Sequence, residues 1–300
     1  MRVLTAFVLL SRPMFLYGGI AGVGLGAAVA AWSGHPIGLA TYLWVQAMVT
    51  AFHLMVHYAN DYFDRESDAA GRRTAWSGGS GIVVAGGALA PQVALVAALL
   101  CAGLGLVCVA RFALVGNPLV ALLGFAILVG SWVYSAPPLR LAARGLGELD
   151  AALVVAGLVP AAADAAFAGR LDPAIAFALP GPILAMVAMM LCVEVPDCGD
   201  DALSGKRTWV VRLGPATTYA RLPIVVGLGA LATALALDHT GGPLAIRLLG
   251  LPAFTCAAGL VWIAWRGDWR PGWVAFGGVA FYATTATGLA LAYGATAAAH

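Results

Sequence analysis

Two short windows hold eight of the fourteen acids in a chain that is 62% hydrophobic and 10% charged. The first, NDYFDRESD at 60–68, carries Asp61, Asp64, Glu66 and Asp68; the second, EVPDCGDD at 194–201, carries Glu194, Asp197, Asp200 and Asp201. If the helix leading into the first window runs on, Asp61, Asp64 and Asp68 fall at i, i+3 and i+7 and share one face. Glu194, Asp197 and Asp201 repeat that spacing if the helix continues past Pro196, leaving Asp200 off the face as a structural or solvent-facing acid. Carboxylates this close repel, so the face is stable with bound cations, raised pKa values or full solvation. Oxygen-only ligands suit a hard cation, and Mg²⁺ commonly sits between a few carboxylates and a substrate phosphate. A wet charged loop would account for one window; two with the same spacing argue against it. Asp61, Asp64, Asp68, Asp197 and Asp201 are therefore the expected metal ligands, with Asn60 adding a neutral amide.

Cations follow the acids in sequence: Arg72 and Arg73, Arg140, then Lys206 and Arg207. Acidic metal-binding helix ends ringed by Arg and Lys suit a diphosphate ester. The metal bridges carboxylate to phosphate, and the basic groups neutralise charge on the leaving group. Membrane topology and lipid head-group contact are competing reasons for any single arginine here. A P-loop is excluded. SGGSG at 77–81 lacks the following Lys-Ser/Thr, and in SGKRT the first glycine is one residue too far while Arg207 takes the hydroxyl position. Those glycines read as a turn, with backbone N–H groups near phosphate. His53 and His57 lie on the face of Asp61 and Asp64; His57 is a candidate substrate contact, although packed hydrogen bonding is the commoner role. The five cysteines form no CxxC or zinc pattern and read as small hydrophobes.

The elements that position these groups must cross a membrane. Apolar runs long enough for a bilayer core of about 30 Å recur throughout, at 13–33, 38–60, 91–110, 115–134, 149–168, 173–196, 217–237, 243–265 and 272–297. They lack two-residue alternation, which excludes a β-barrel. The expected fold is an all-α integral-membrane bundle of nine transmembrane helices, with residues 1–300 forming a single polytopic domain. The first run, headed by Arg12 and Pro13, is not a cleavable signal peptide. All Lys and Arg except Arg111, Arg170 and Arg247 fall on the side shared by the N-terminus and both acidic windows. The positive-inside rule then puts the N-terminus in the cytoplasm and the C-terminus outside, in the plasma membrane of a prokaryote. The partner is the lipid bilayer, not nucleic acid. A substrate with a diphosphate head and a home in the membrane is an isoprenyl diphosphate, its tail lying between helices.

NDYFDRESD, of form NDxxDxxxD, and EVPDCGDD followed by SGKRT resemble the two acidic motifs of UbiA-type intramembrane prenyltransferases. The resemblance extends to SRP at 11–13, SGGSGIVVAGGALAP at 77–91, YSAPPLRL at 134–141 and GLGE at 145–148. Within the family, YSAPPL, GLGE and GKRTxxVRLG look most like the menaquinone branch, which prenylates 1,4-dihydroxy-2-naphthoate. The resemblance implies a cavity under a cytoplasmic cap with a side opening to lipid. It implies Mg²⁺ as cofactor and transfer of an isoprenyl group to a small aromatic acceptor through an allylic cation. Asn60, Asp61, Asp64 and Asp68 match the first motif, and Asp197 and Asp201 the second. Arg12 matches the arginine near the acceptor or cap, Arg140 the basic residue after the fourth span, and Lys206 a diphosphate contact. Tyr134 would lie near the prenyl chain, and Asp197 could deprotonate the acceptor. A membrane terpene cyclase, which ionises the same donor without an acceptor, would carry identical metal motifs. A transporter would instead place its acids near the bilayer midplane on broken helices.

Overall fold

The computed structural model describes residues 3–68, 79–83, 87–267 and 270–299, and its regular elements there are helices. In chain order they are α1 (Val3–Ser11), α2 (Pro13–Trp32), α3 (Leu39–Phe63), α4 (Arg65–Asp68), α5 (Pro91–Leu114), α6 (Pro118–Val133), α7 (Gly147–Leu153) and α8 (Val159–Ala168). There follow α9 (Ile175–Ala178), α10 (Pro180–Glu194), α11 (Cys198–Leu203), α12 (Trp209–Leu213), α13 (Pro215–His239), α14 (Leu244–Arg247), α15 (Leu251–Arg266) and α16 (Pro271–Ala298). Proline opens α2, α5, α6, α10, α13 and α16. At the first helical position its missing N–H would have had no partner, and its fixed φ already suits the helix.

Eight helical segments of 20 to 27 residues are long and apolar enough to cross a membrane by length and composition. The ninth expected run, 115–134, forms the 16-residue helix α6, which at 1.5 Å per residue is about 24 Å long. Helix α1 was not anticipated, being too short to register as a span; its Ala6 and Leu10 are fully buried and it packs on α3.

The helices pack around three buried cores. One joins residues of α1 to α3, α5, α6 and α8; a second joins α7, α10, α12, α13, α15 and α16; a third joins α2, α9, α13 and α16. Helix α2 bridges the first two, lying against both α8 and α16. Between α7 and α8, Val154–Leu158 takes a π-helical form. Such a segment widens the turn just where a wall faces a cavity. The approach of α2 to α8 depends on Gly26, where an added Cβ would sit 2.1 Å from the Pro160 carbonyl oxygen and 2.7 Å from the Ala163 Cβ. Backbone cannot step aside as a flexible side chain can. Gly26→Ala is expected to destabilise the bundle by about 1–3 kcal/mol, read as a lowered midpoint of thermal unfolding in detergent; an unchanged midpoint would deny the close approach.

Both acidic windows depart from continuous helix. Helix α3 ends at Phe63, and Asp64 closes it with φ −99° and its N–H on the Asn60 carbonyl at 2.9 Å. The chain restarts as α4, so Asp61, Asp64 and Asp68 do not share one uninterrupted helical face. Helix α10 ends at Glu194 because Pro196 has no N–H to continue the ladder. Asp197 N–H reaches back to the Glu194 carbonyl at 3.2 Å, and α11 then begins at Cys198. The turn swings Asp200, expected to face away, onto the wall of the same cavity as Asp197 and Asp201.

Two loops at this end are latched together. Arg207 N–H donates to the Ala143 carbonyl at 2.9 Å, and the Trp209 indole N–H to the Gly145 carbonyl at 2.9 Å. The Trp209 backbone N–H donates to Glu148, which is fully buried. Thr208 caps α12 through Val211 N–H at 3.3 Å. The residue that lies between these anchors and the second acidic window is Lys206.

Candidate active site

A cavity of about 260 Å³ lies between α2, α3, α6, α7 with its π segment, α10 and α16. Its lower wall includes Phe15, Val56, Val155, Met186, Met189 and Met190; its charged mouth includes Arg12, Asn60, Asp64, Asp197, Asp201 and Lys206. The ammonium of Lys206 lies 3.2 Å from Asp64 Oδ2 and 3.5 Å from Asp201 Oδ1. A single cation thus joins two windows that are far apart in sequence.

Asp64 is the hub on the first side. It is 4% exposed, accepts from Asn60 Nδ2 at 3.0 Å, and pairs with Arg140 at 3.4 Å. Asn60 Nδ2 also donates to Ser135 Oγ at 3.0 Å, fixing its amide. Asp61, expected among the metal ligands, is placed elsewhere. It is 2% exposed and is held by Arg12, by the Ser80 backbone N–H at 2.9 Å and by the Ser80 hydroxyl. It is absent from the cavity lining, and its partners make it a support for Arg12. The N–H of Ser80 is spent on this carboxylate, while Gly79, one of the glycines expected near phosphate, lines the cavity.

Arg12 and Arg140 are the two non-glycine residues with positive φ among the described residues, at 45° and 46°. A left-handed backbone costs an L-residue about 1–2 kcal/mol, and glycine would relieve it. Both strained positions carry an arginine paired to a first-window aspartate, and strain of this kind clusters where a side chain has to be aimed at a functional site. Arg140→Gly is expected to keep or raise the thermal unfolding midpoint, because the strain disappears and the lost partner is 43% exposed. The same change should lower turnover tenfold or more. A fall in both would make Arg140 a structural residue only.

On the second side, burial pushes the Asp201 carboxyl above its ordinary range; Lys206 opposes that shift and Asp197 adds to it. Burial likewise raises the Cys198 thiol, consistent with an unreactive cysteine. Half-buried Glu194 on the cavity wall has an inaccessible Oε2 without a hydrogen-bond partner among the described residues. Among the described residues no three His, Cys, Asp or Glu side chains close into a metal cage. Hard oxygen donors on two sides, with an ammonium held between them, nevertheless fit Mg²⁺, which takes few protein carboxylates and completes its shell from phosphate and water.

The other expected site residues divide. Tyr134 and His57 line the cavity; His57 Nδ1 lies 2.9 Å from the Ser11 carbonyl, so that nitrogen carries the hydrogen. The Arg207 side chain is exposed and outside the lining, its backbone belonging to the latch. Asp68 ends α4, and Arg72 and Arg73 lie outside the described residues. Sequence reasoning passed over Asp150, Ser131 and Tyr282, which all line the cavity. Asp150 had a signal, being an acid at the head of an apolar run; the other two had none.

Fold and site define the class of this protein: an all-helical integral-membrane protein around a chamber that is charged at its mouth and apolar below. The chain belongs to the UbiA prenyltransferase family, whose profile matches residues 20–284. Among solved structures it is similar to a UbiA homolog from Aeropyrum pernix K1 in its apo form, at 16% identity and TM-score 0.71, covering 90% of this chain and 96% of that one. It is similar to a UbiA homolog from Archaeoglobus fulgidus bound to GPP and Mg²⁺, at 16% identity and TM-score 0.66, covering 98% and 100%. A digeranylgeranylglyceryl phosphate synthase shares 15% identity at TM-score 0.66, covering 100% of both chains. At these identities the likeness is one of fold. No curated protein matches the chain in sequence.

Proposed function

We propose that this prenyltransferase moves an isoprenyl group from its diphosphate to a small aromatic quinol precursor, 1,4-dihydroxy-2-naphthoate being the best candidate. The observation that carries this reading is Lys206 shared between Asp64 and Asp201 above an apolar chamber. It makes one place for a polyanionic head and another for a hydrocarbon tail. The Archaeoglobus fulgidus homolog bound to GPP and Mg²⁺ supports the donor class and the metal.

Asp64, Asp197 and Asp201 would hold Mg²⁺, with Asp68 beside them in sequence; the ion, when bound, neutralises charge on the diphosphate oxygens. Lys206, Arg140 and Arg12 stabilise the anion that builds as the allylic C–O bond breaks. Asn60 orients Asp64. Tyr134 and the methionines of α10 face the cationic prenyl group and shield it from water. The acceptor's carboxylate-bearing ring carbon forms the new C–C bond as Asp197 takes the proton of the acceptor hydroxyl; that carbon then loses CO2, and the proton returns to the ring oxygen to restore the aromatic quinol. Arg72 and Arg73, outside the described residues, are further diphosphate contacts on this reading, Arg207 would have to turn its exposed side chain inward to join them, and His57 contacts substrate within the chamber. Residues 1–300 act as one unit, with the N-terminus and the charged mouth at the cytoplasmic face of a prokaryotic plasma membrane and the C-terminus outside.

The test uses purified protein in nanodiscs with Mg²⁺ and geranyl or geranylgeranyl diphosphate, with and without 1,4-dihydroxy-2-naphthoate. Diphosphate release is followed beside product mass. Release that requires the naphthoate and yields a prenylated, decarboxylated naphthol supports the proposal. Acceptor-independent release of a cyclic hydrocarbon or alcohol would make the chain a terpene cyclase.

A further inference from the structure

We infer that Tyr282, meeting Gly18 across the chamber, is the stop that sets which prenyl chain lengths the enzyme accepts. The inference rests on the prenyl-transfer reading and adds a selectivity to it. Tyr282 projects from α16, is 4% exposed and lines the chamber. Its hydroxyl donates to the Gly18 carbonyl on α2 at 3.5 Å. A Cβ on Gly18 would lie 3.3 Å from Val155 Cγ1 and 3.5 Å from the Tyr282 ring. At this level, therefore, α2, the π segment and α16 come into contact.

The space beyond is shut. One turn further along α2, a Cβ on Gly22 would stand 2.9 Å from Val159 Cγ1, and Gly26 is pressed on the Pro160 carbonyl. To the side, the Tyr17 hydroxyl is hydrogen-bonded to Thr287, tying α2 to α16 where both ends are accessible. The chamber is thus closed below by Tyr282 and Gly18 and clasped beside them.

Helical rise gives the depth. Gly18 lies about 9 Å along α2 from Arg12, and Met186 about 12 Å along α10 from Glu194. An extended chain advances about 1.2 Å per bond, so this depth takes about eight to ten bonds. The main chain of a geranyl group fits that length, whereas a geranylgeranyl group is about twice too long. Tyr282→Ala removes the ring that ends the chamber; Gly18→Leu fills the same level from the opposite helix. The two substitutions should therefore move selectivity in opposite directions, an outcome that a general loss of folding cannot imitate.

The experiment gives the unaltered chain and both variants, in nanodiscs with Mg²⁺ and the naphthoate, a choice of donors. Dimethylallyl diphosphate, too short to reach the stop, is the reference for geranyl and geranylgeranyl diphosphates. The unaltered chain is expected to use geranyl at least tenfold better than geranylgeranyl by kcat/KM. Tyr282→Ala should raise the geranylgeranyl-to-geranyl ratio at least tenfold, and Gly18→Leu should lower the geranyl-to-dimethylallyl ratio at least tenfold. Ratios that stay unchanged in both variants overturn the stop while leaving prenyl transfer in place. Absence of turnover by the unaltered chain with every donor overturns the transfer reading, and the stop with it.

Discussion

Asp64→Asn is expected to lower acceptor-dependent diphosphate release by about a thousandfold or more, since loss of a single preorganised electrostatic group already costs about 10²–10³. Asp64 is more than one such group. Its two oxygens receive Lys206, Arg140 and Asn60 within 3.4 Å while the carboxylate stays buried. The amide keeps the shape and removes the charge, so on the transfer reading the metal would lose a ligand, and two cations lose the anion that aims them. Lys206 retains Asp201 at 3.5 Å, and the helices have their apolar cores. Circular dichroism should therefore show native helix content. Turnover within tenfold of the parent, with that helix content, would remove Asp64 from the chemistry.

Lys206→Met tests the opposite charge and should separate two effects. Turnover is expected to fall about 10²–10³-fold, the range found for removal of one transition-state donor. Binding of Mg²⁺ without diphosphate should instead tighten, because Asp64 and Asp201 no longer share an internal ammonium that competes for them. Calorimetric titration with Mg²⁺ reads the second effect, and diphosphate release the first. Weakened metal binding together with lost turnover would show that the lysine holds the loops in place rather than serving the leaving group.

Much of the fold was legible in sequence because an apolar run of bilayer length has few other uses in a chain this poor in charge. Helix α1 was not, since nine residues are too few to span. The acidic windows were found because carboxylates clustered in an oily chain have few bland explanations. Their detailed geometry was not, for local reasons: Asp64 ends a helix and Pro196 interrupts one. The diversion of Asp61 to Ser80 depends on a loop returning from further along the chain, which helical spacing cannot show. Arg12 and Arg140 gave no warning of left-handed backbone, because the usual mark of that conformation is glycine. The chamber's far end, with Tyr282 and Gly18, exists only once α2 and α16 are side by side.

On the transfer reading, the hydrogen bond between Tyr17 and Thr287, which joins α2 to α16, marks where a second door would stand. On that reading diphosphate would depart through the charged mouth into water. On the transfer reading, the prenylated product would leave where α2 meets α16, as that clasp parts, and never cross an aqueous layer. Two products then drain into two phases and cannot queue behind one another. Back-pressure on the enzyme would follow the mole fraction of product in the surrounding lipid, so diluting the buffer would leave it unchanged, whereas adding fresh membrane would relieve it.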